Sequence, residues 1–117
     1  MKRLKSSYGC EVELALEFVG GKWKTVILAY LKEEPHRYRD LRTRIGGISD
    51  KVLTERLKDL EQLGLVEKRP GAADGGSKVY HLSDRGESLR PVLDALYRWG
   101  DAIAQELPTT IRQAEQP

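Results

Sequence analysis

The sequence predicts a mainly α-helical domain with one small β-hairpin, an α+β class. Three observations lead there. Apolar residues recur at helical spacing in five separate stretches. Two short runs, VEKR at 66–69 and KVYHL at 78–82, read as strands, and the turn-rich PGAADGGS lies between them. The length, 117 residues, fits one domain with one core.

The elements follow in order. CEVELALEFVGG supports two patterns: Val12, Leu14, Leu16 and Phe18 alternate as in a strand, and Val12, Ala15, Leu16 and Val19 fit a helix. Its Glu, Leu and Ala content favours helix, and Gly20–Gly21 supplies a stop. KWKTVILAYLKEEP is a helix whose Trp23, Val26, Ile27, Tyr30 and Leu31 share a face, with Pro35 beyond its end. His36 to Tyr38 has room for a very short strand. Tyr38, Leu41 and Ile45 then mark the buried face of a brief helix that Gly46–Gly47 break. In ISDKVLTERLKDLEQLG, Ser49 is an N-cap, and Ile48 and Leu53 occupy staple positions. Leu53, Leu57, Leu60 and Leu63 form its inward stripe, with Val52 and Arg56 at the margin. Lys51, Thr54, Glu55, Lys58 and Gln62 fall on the opposite side, and Gly64 ends the helix. The hairpin comes next. A last long segment runs from near Ser83 to about Glu106, striped by Leu89, Val92, Leu93, Leu96, Tyr97, Ile103 and Leu107. Pro91 should kink it or end its first turn. Residues 1–107 are therefore expected to form the domain, and PTTIRQAEQP (108–117) a frayed, disordered tail.

Charge is informative through its placement. The net charge of +2 indicates no particular partner. Residues 36–69, however, carry nine Lys or Arg against six Asp or Glu, and the first nine residues carry three basic groups and no acid. Positive charge so placed can face phosphates, although charge alone does not separate this from an ordinary solvated surface. No apolar run reaches membrane-spanning length, and the basic N-terminus lacks an apolar region behind it. With a single cysteine no internal disulfide can form. A cytoplasmic protein without a membrane partner is expected. His36 and His81 have no partners at metal-ligand spacing, and no nucleophile–base pair or phosphate-binding Gly loop occurs. Neither enzyme, metal nor cofactor is expected.

A helix, a Gly turn, a longer helix and then a hairpin describe a winged helix-turn-helix. The chain also resembles the HxlR-type branch of the MarR-like winged-helix transcription regulators. The resemblance runs from about Cys10 to Gly100. It rests on GGKW before an apolar helix, on the pattern I-S-x-K-x-L-T-x-x-L-x-x-L-E-x-x-G-L-V, and on Y-x-L-[ST]-x-x-G. It implies a homodimer on operator DNA, joined through its first and last helices, with the helix at 49–63 reading the major groove. Two departures stand out. Pro commonly follows the cysteine in the family, whereas Glu11 follows Cys10 here, and the wing loop is Gly-rich with only Asp74 before Lys78.

Candidate residues divide by chemistry. On the reading helix, Lys51 suits a guanine edge or a phosphate, Thr54 a thymine methyl, and Glu55 a cytosine amine. Lys58 shares that face, and Ser49 places backbone N–H groups where a phosphate can sit. Arg39, Arg42, Arg44, Lys68, Arg69 and Lys78 are candidate phosphate anchors. Val12, Leu16, Val92, Leu96, Trp99 and Ile103 are expected at the dimer interface. Trp23, Tyr30 and Tyr97 read as core or interface packing. Cys10, just before a helix, is a candidate sensor of oxidants or electrophiles, a role some members of the resembled family have. Glu11 and Glu13 disfavour its thiolate, and a packing role is the simpler alternative. The expected partners are a near-palindromic double-stranded DNA operator, a second copy and an effector of unknown identity. A protein-binding winged helix without DNA, or a thiol-dependent redox protein, are the alternatives.

Overall fold

A computed structural model describes residues 4–71 and 78–112. The element order is α1 (Glu11–Val19), α2 (Lys22–Glu33), α3 (Tyr38–Ile45), α4 (Asp50–Gln62), β1 (Val66–Pro70), β2 (Lys78–Leu82), α5 (Asp84–Glu87) and α6 (Arg90–Glu106). The proposed hairpin loop falls mostly at 72–77, and the end of the proposed tail at 113–117; both lie outside the described residues.

The ambiguous first segment is helical. Glu11 and Glu13 sit in its first turn, where the helix dipole favours acids, and Gly20 closes it by donating to the Leu16 carbonyl at 2.7 Å. None of its residues is fully buried.

α2 is the hub of the core, packing against α1, α3, α4, β2 and α6. Ile27, Leu28 and Leu31 are its buried apolar residues, while Trp23, Val26 and Tyr30 pack at the edge. The stripe that periodicity predicts omits Leu28, which is fully buried. A one-sided stripe describes a helix with one neighbour, and α2 has neighbours on several sides.

α4 follows its pattern closely. Leu53, Leu57 and Leu60 are buried, and Leu63, its C-cap, is buried with them. The Ser49 hydroxyl accepts the Val52 N–H at 3.1 Å, and Ile48 is buried beside the cap. Gly64 then takes a positive φ of 77°, which turns the chain into β1.

β1 and β2 pair antiparallel, with Val66 opposite Leu82 and Pro70 opposite Lys78. The short strand expected near His36 is a single bridge: His36 and Tyr80 exchange backbone hydrogen bonds at 3.1 and 2.8 Å. This bridge ties the wing to the loop between α2 and α3.

The Tyr80-x-Leu82-Ser83-x-x-Gly86 motif has a structural explanation. Tyr80 makes the bridge, and Leu82 is core. The Ser83 hydroxyl donates to the Gly64 carbonyl and accepts from the Gly86 N–H. A Cβ on Gly86 would lie 2.2 Å from the Leu65 carbonyl oxygen, so only glycine lets α5 approach the backbone leading into β1 this closely.

The long last segment is two helices. α5 ends at Glu87, and Pro91 stands in the first turn of α6, where its missing N–H costs no helical hydrogen bond. Leu93 is the buried residue of α6. Lys32 anchors the helix by an ion pair to Asp94 at 2.7 Å. No described helix is long and apolar enough to cross a membrane.

Candidate nucleic-acid interface

The turn between α3 and α4 contains two consecutive glycines at positive φ, Gly46 at 63° and Gly47 at 64°. An L-residue resists that conformation at either position, so the pair sets the angle at which α4 leaves the core. With its leucine stripe buried, α4 presents Lys51, Thr54, Glu55, Lys58 and Gln62 to solvent on one face. Ser49 and Asp50 are exposed at its start.

The start of α4 is fastened to α3 by a polar network that sequence patterning did not reveal. The Tyr38 hydroxyl lies 2.9 Å from Asp50 Oδ1, 3.2 Å from the Asp50 carbonyl oxygen and 3.2 Å from Thr54 Oγ1. Arg42 Nε lies 3.0 Å from the same Asp50 oxygen. Sequence spacing places Tyr38 on the buried face of α3; the residue is half-buried, and its hydroxyl reaches the exposed face of α4. An acid just after an N-cap is a sequence signal for Asp50, but its partners on α3 are visible only in three dimensions.

The candidate phosphate anchors differ in what surrounds them. Arg39, Lys68 and Lys78 are exposed and make no ion pair among the described residues; Lys51 and Lys58 are alike in this. Arg42 is held by Asp50, and Arg69 pairs with Glu67 at 2.6 Å. The exposed Arg69–Glu67 pair contributes little, so a phosphate can displace that carboxylate cheaply, whereas Arg42 can keep its Nε on Asp50 and offer its other guanidinium nitrogens to a phosphate. Arg44 points elsewhere: it lies 3.8 Å from Glu34 and 5.9 Å from the centre of the Tyr30 ring, packed over α2. Glu55 is 3.8 Å from Arg56, which also pairs with Asp59 at 3.1 Å. On the wing, burial pushes the His81 imidazole below its usual range, and Arg69 pushes it the same way.

A second surface is apolar. Val12 and Leu16 on α1 are exposed, as are Val92, Leu96 and Trp99 on α6; Trp99 leaves 68% of its surface in water. Ile103 is half-buried. Beside α1, facing α5 and its junction with α6, runs a groove of about 280 Å³ lined by Leu14, Ala15, Phe18, Leu65 and Leu89, with Glu11, Arg85 and Ser88 at its polar margin. Cys10 is exposed and is the N-cap residue of α1, with no side-chain capping hydrogen bond.

Known proteins share this architecture. The family model for the HxlR-like helix-turn-helix matches residues 18–108. An HTH-type transcriptional regulator of Methanothermobacter thermautotrophicus is 38% identical over 93 residues, 80% of this chain and 71% of that one. The solved structure of YtcD, an HTH-type regulator of Bacillus subtilis, superposes with a TM-score of 0.73 at 35% identity, covering 82% of this chain and 98% of its own. The redox regulator HypR in its oxidised form superposes equally well, at 0.73 and 28% identity, over 80% of this chain and 96% of its own. The chain is therefore a transcriptional regulator rather than an enzyme, and it belongs to the HxlR-like helix-turn-helix family.

Proposed function

We propose that this chain acts in the cytoplasm as a homodimer that reads a near-palindromic DNA operator with α4 in the major groove. The observation that carries the proposal is the division of α4 into a buried leucine stripe and an exposed polar face, directly beside a hairpin. Lys51, Thr54, Glu55 and Lys58 meet base edges, with Ser49 at the helix start. Arg39, Arg42, Lys68, Arg69 and Lys78 hold the flanking phosphates. The exposed apolar faces of α1 and α6 are the dimer surface, since patches of this kind on small regulators are covered by a partner. A two-fold axis there would set the two α4 helices about 34 Å apart, one turn of duplex. Where the operator overlaps a promoter, binding represses.

Selection from random duplex DNA tests the proposal. Enrichment of an inverted repeat supports it; no enrichment at low salt contradicts it.

A second reading concerns Cys10. It is exposed at the start of a helix on the proposed dimer surface, and HypR, which the chain resembles, is a redox regulator. An adduct at its sulfur would push α1 away from its partner and change the angle between the two reading heads. Repeating the selection after treatment with an oxidant or electrophile, with Cys10→Ser as control, tests this. Loss of binding in the wild type alone supports sensing, and identical losses in both proteins reject it.

A further inference from the structure

We propose that Asp50 is a specificity-determining residue of the reading helix. Its fixed carboxylate accepts a hydrogen bond from the exocyclic amine of a base and rejects base edges that offer only acceptors. This rests on the assignment of α4 to the major groove made above.

Asp50 is the first residue of α4, and helix-turn-helix modules bring the N-terminal residues of the reading helix to base edges. Its side chain is 68% exposed. An exposed acid at that position ordinarily needs no explanation beyond the helix dipole. Here two side chains of α3 converge on one of its oxygens: Tyr38 Oη at 2.9 Å and Arg42 Nε at 3.0 Å. The phenol has one proton. Given to Asp50 Oδ1, it leaves the phenol oxygen to accept from Thr54 Oγ1 at 3.2 Å. The carboxylate is thereby held from α3, and its second oxygen, Oδ2, has no hydrogen bond among the described residues. The same network occupies the Thr54 hydroxyl, so the methyl is what Thr54 has left to offer a base.

A carboxylate is acceptor-only. In the major groove cytosine offers its N4 amine and adenine its N6 amine, whereas guanine and thymine offer O6, N7 and O4 acceptors. Asp50 therefore favours cytosine or adenine on the strand it faces and repels guanine or thymine. Its charge also opposes phosphate, so it weakens sequence-independent binding while sharpening the specific kind.

The test compares full-length wild type with Asp50→Ala, Asp50→Asn and Tyr38→Phe, each checked for an unchanged thermal melt. Duplex selection is followed by anisotropy titrations on selected and shuffled duplexes. The wild type should prefer cytosine or adenine at one position per half-site by about tenfold. Asp50→Ala should flatten that position alone and tighten binding to shuffled duplex. Asp50→Asn, which gains a donor, should admit guanine or thymine there. Tyr38→Phe should narrow the preference partway without changing charge. An unchanged base profile in Asp50→Ala, or an equal loss on selected and shuffled duplex, would overturn the inference. Failure of the wild type to bind any duplex would overturn the assignment of α4 as well, and the two failures are distinguished by that control.

Discussion

Replacing Trp99 by Ala should dissociate the dimer without unfolding the chain. Trp99 leaves 68% of its surface exposed on α6. A tryptophan buries about 150–250 Å² when covered. Covering the exposed share therefore stabilises by about 3–4 kcal/mol per copy at ~25 cal/mol/Å². The substitution acts twice in a two-fold dimer. Part of the gain is offset by side-chain ordering. A weakening of the dimer by about a hundredfold or more is the expected net effect, since each 1.4 kcal/mol is about tenfold. Sedimentation equilibrium over a concentration series reads the constant directly. The folded chain should be nearly indifferent, because surface substitutions away from special features stay within about 0.5 kcal/mol. A dimer constant unchanged by Trp99→Ala would refute the assignment of this surface, and so would a wild type that stays monomeric at high concentration.

Four further outcomes are expected. Gly64→Ala should lower unfolding stability by about 1–2 kcal/mol in urea titrations, because φ is 77° there and a Cβ would meet the Arg85 guanidinium at 2.9 Å. Ser49→Ala should cost about 1 kcal/mol by the same measurement through loss of the α4 cap. Lys51→Ala should relax sequence preference in duplex selection, whereas Arg39→Ala should weaken all duplexes alike and reduce the log–log salt slope by about one unit. The fourth concerns acid. The hydrogen bond from Lys32 holds the Asp94 carboxyl below the usual carboxylate range, against a smaller opposing effect of burial. A depressed carboxylate stabilises the fold above its unfolded pKa, and that contribution is lost as pH falls through the folded value. Stability should therefore fall below about pH 4, and Asp94→Asn should show a shallower acid limb in pH-dependent melts.

The helices and their order could be read from periodicity because all but α2 pack largely on one side, α4 most clearly. Ser49, Gly64 and Pro91 marked boundaries through chemistry that is local by nature. Leu28 escaped because a helix enclosed on several sides has no single stripe. The break at Ser88–Leu89 was only half visible, since Pro91 signals a first turn without saying how much helix precedes it. At the candidate interface, the exposed face of α4 followed from the same pattern that buried its leucines. Two features did not follow. Arg44 counted as a cation in sequence, yet it lies over Tyr30 and Glu34. Asp50 is not among the residues the sequence singles out, yet it receives two donors from α3. Both depend on contacts between elements, which composition and spacing do not encode.

The central claim is that two copies of this chain, joined through α1 and α6, dock paired α4 helices on one duplex. Its most direct measurement is the binding stoichiometry and salt dependence of the wild type on its selected duplex, read by anisotropy and sedimentation together. Two chains per duplex are expected, with half-sites about one helical turn apart and an affinity that falls linearly in log–log salt. One chain per duplex, or no binding at about 50 mM salt, would contradict it.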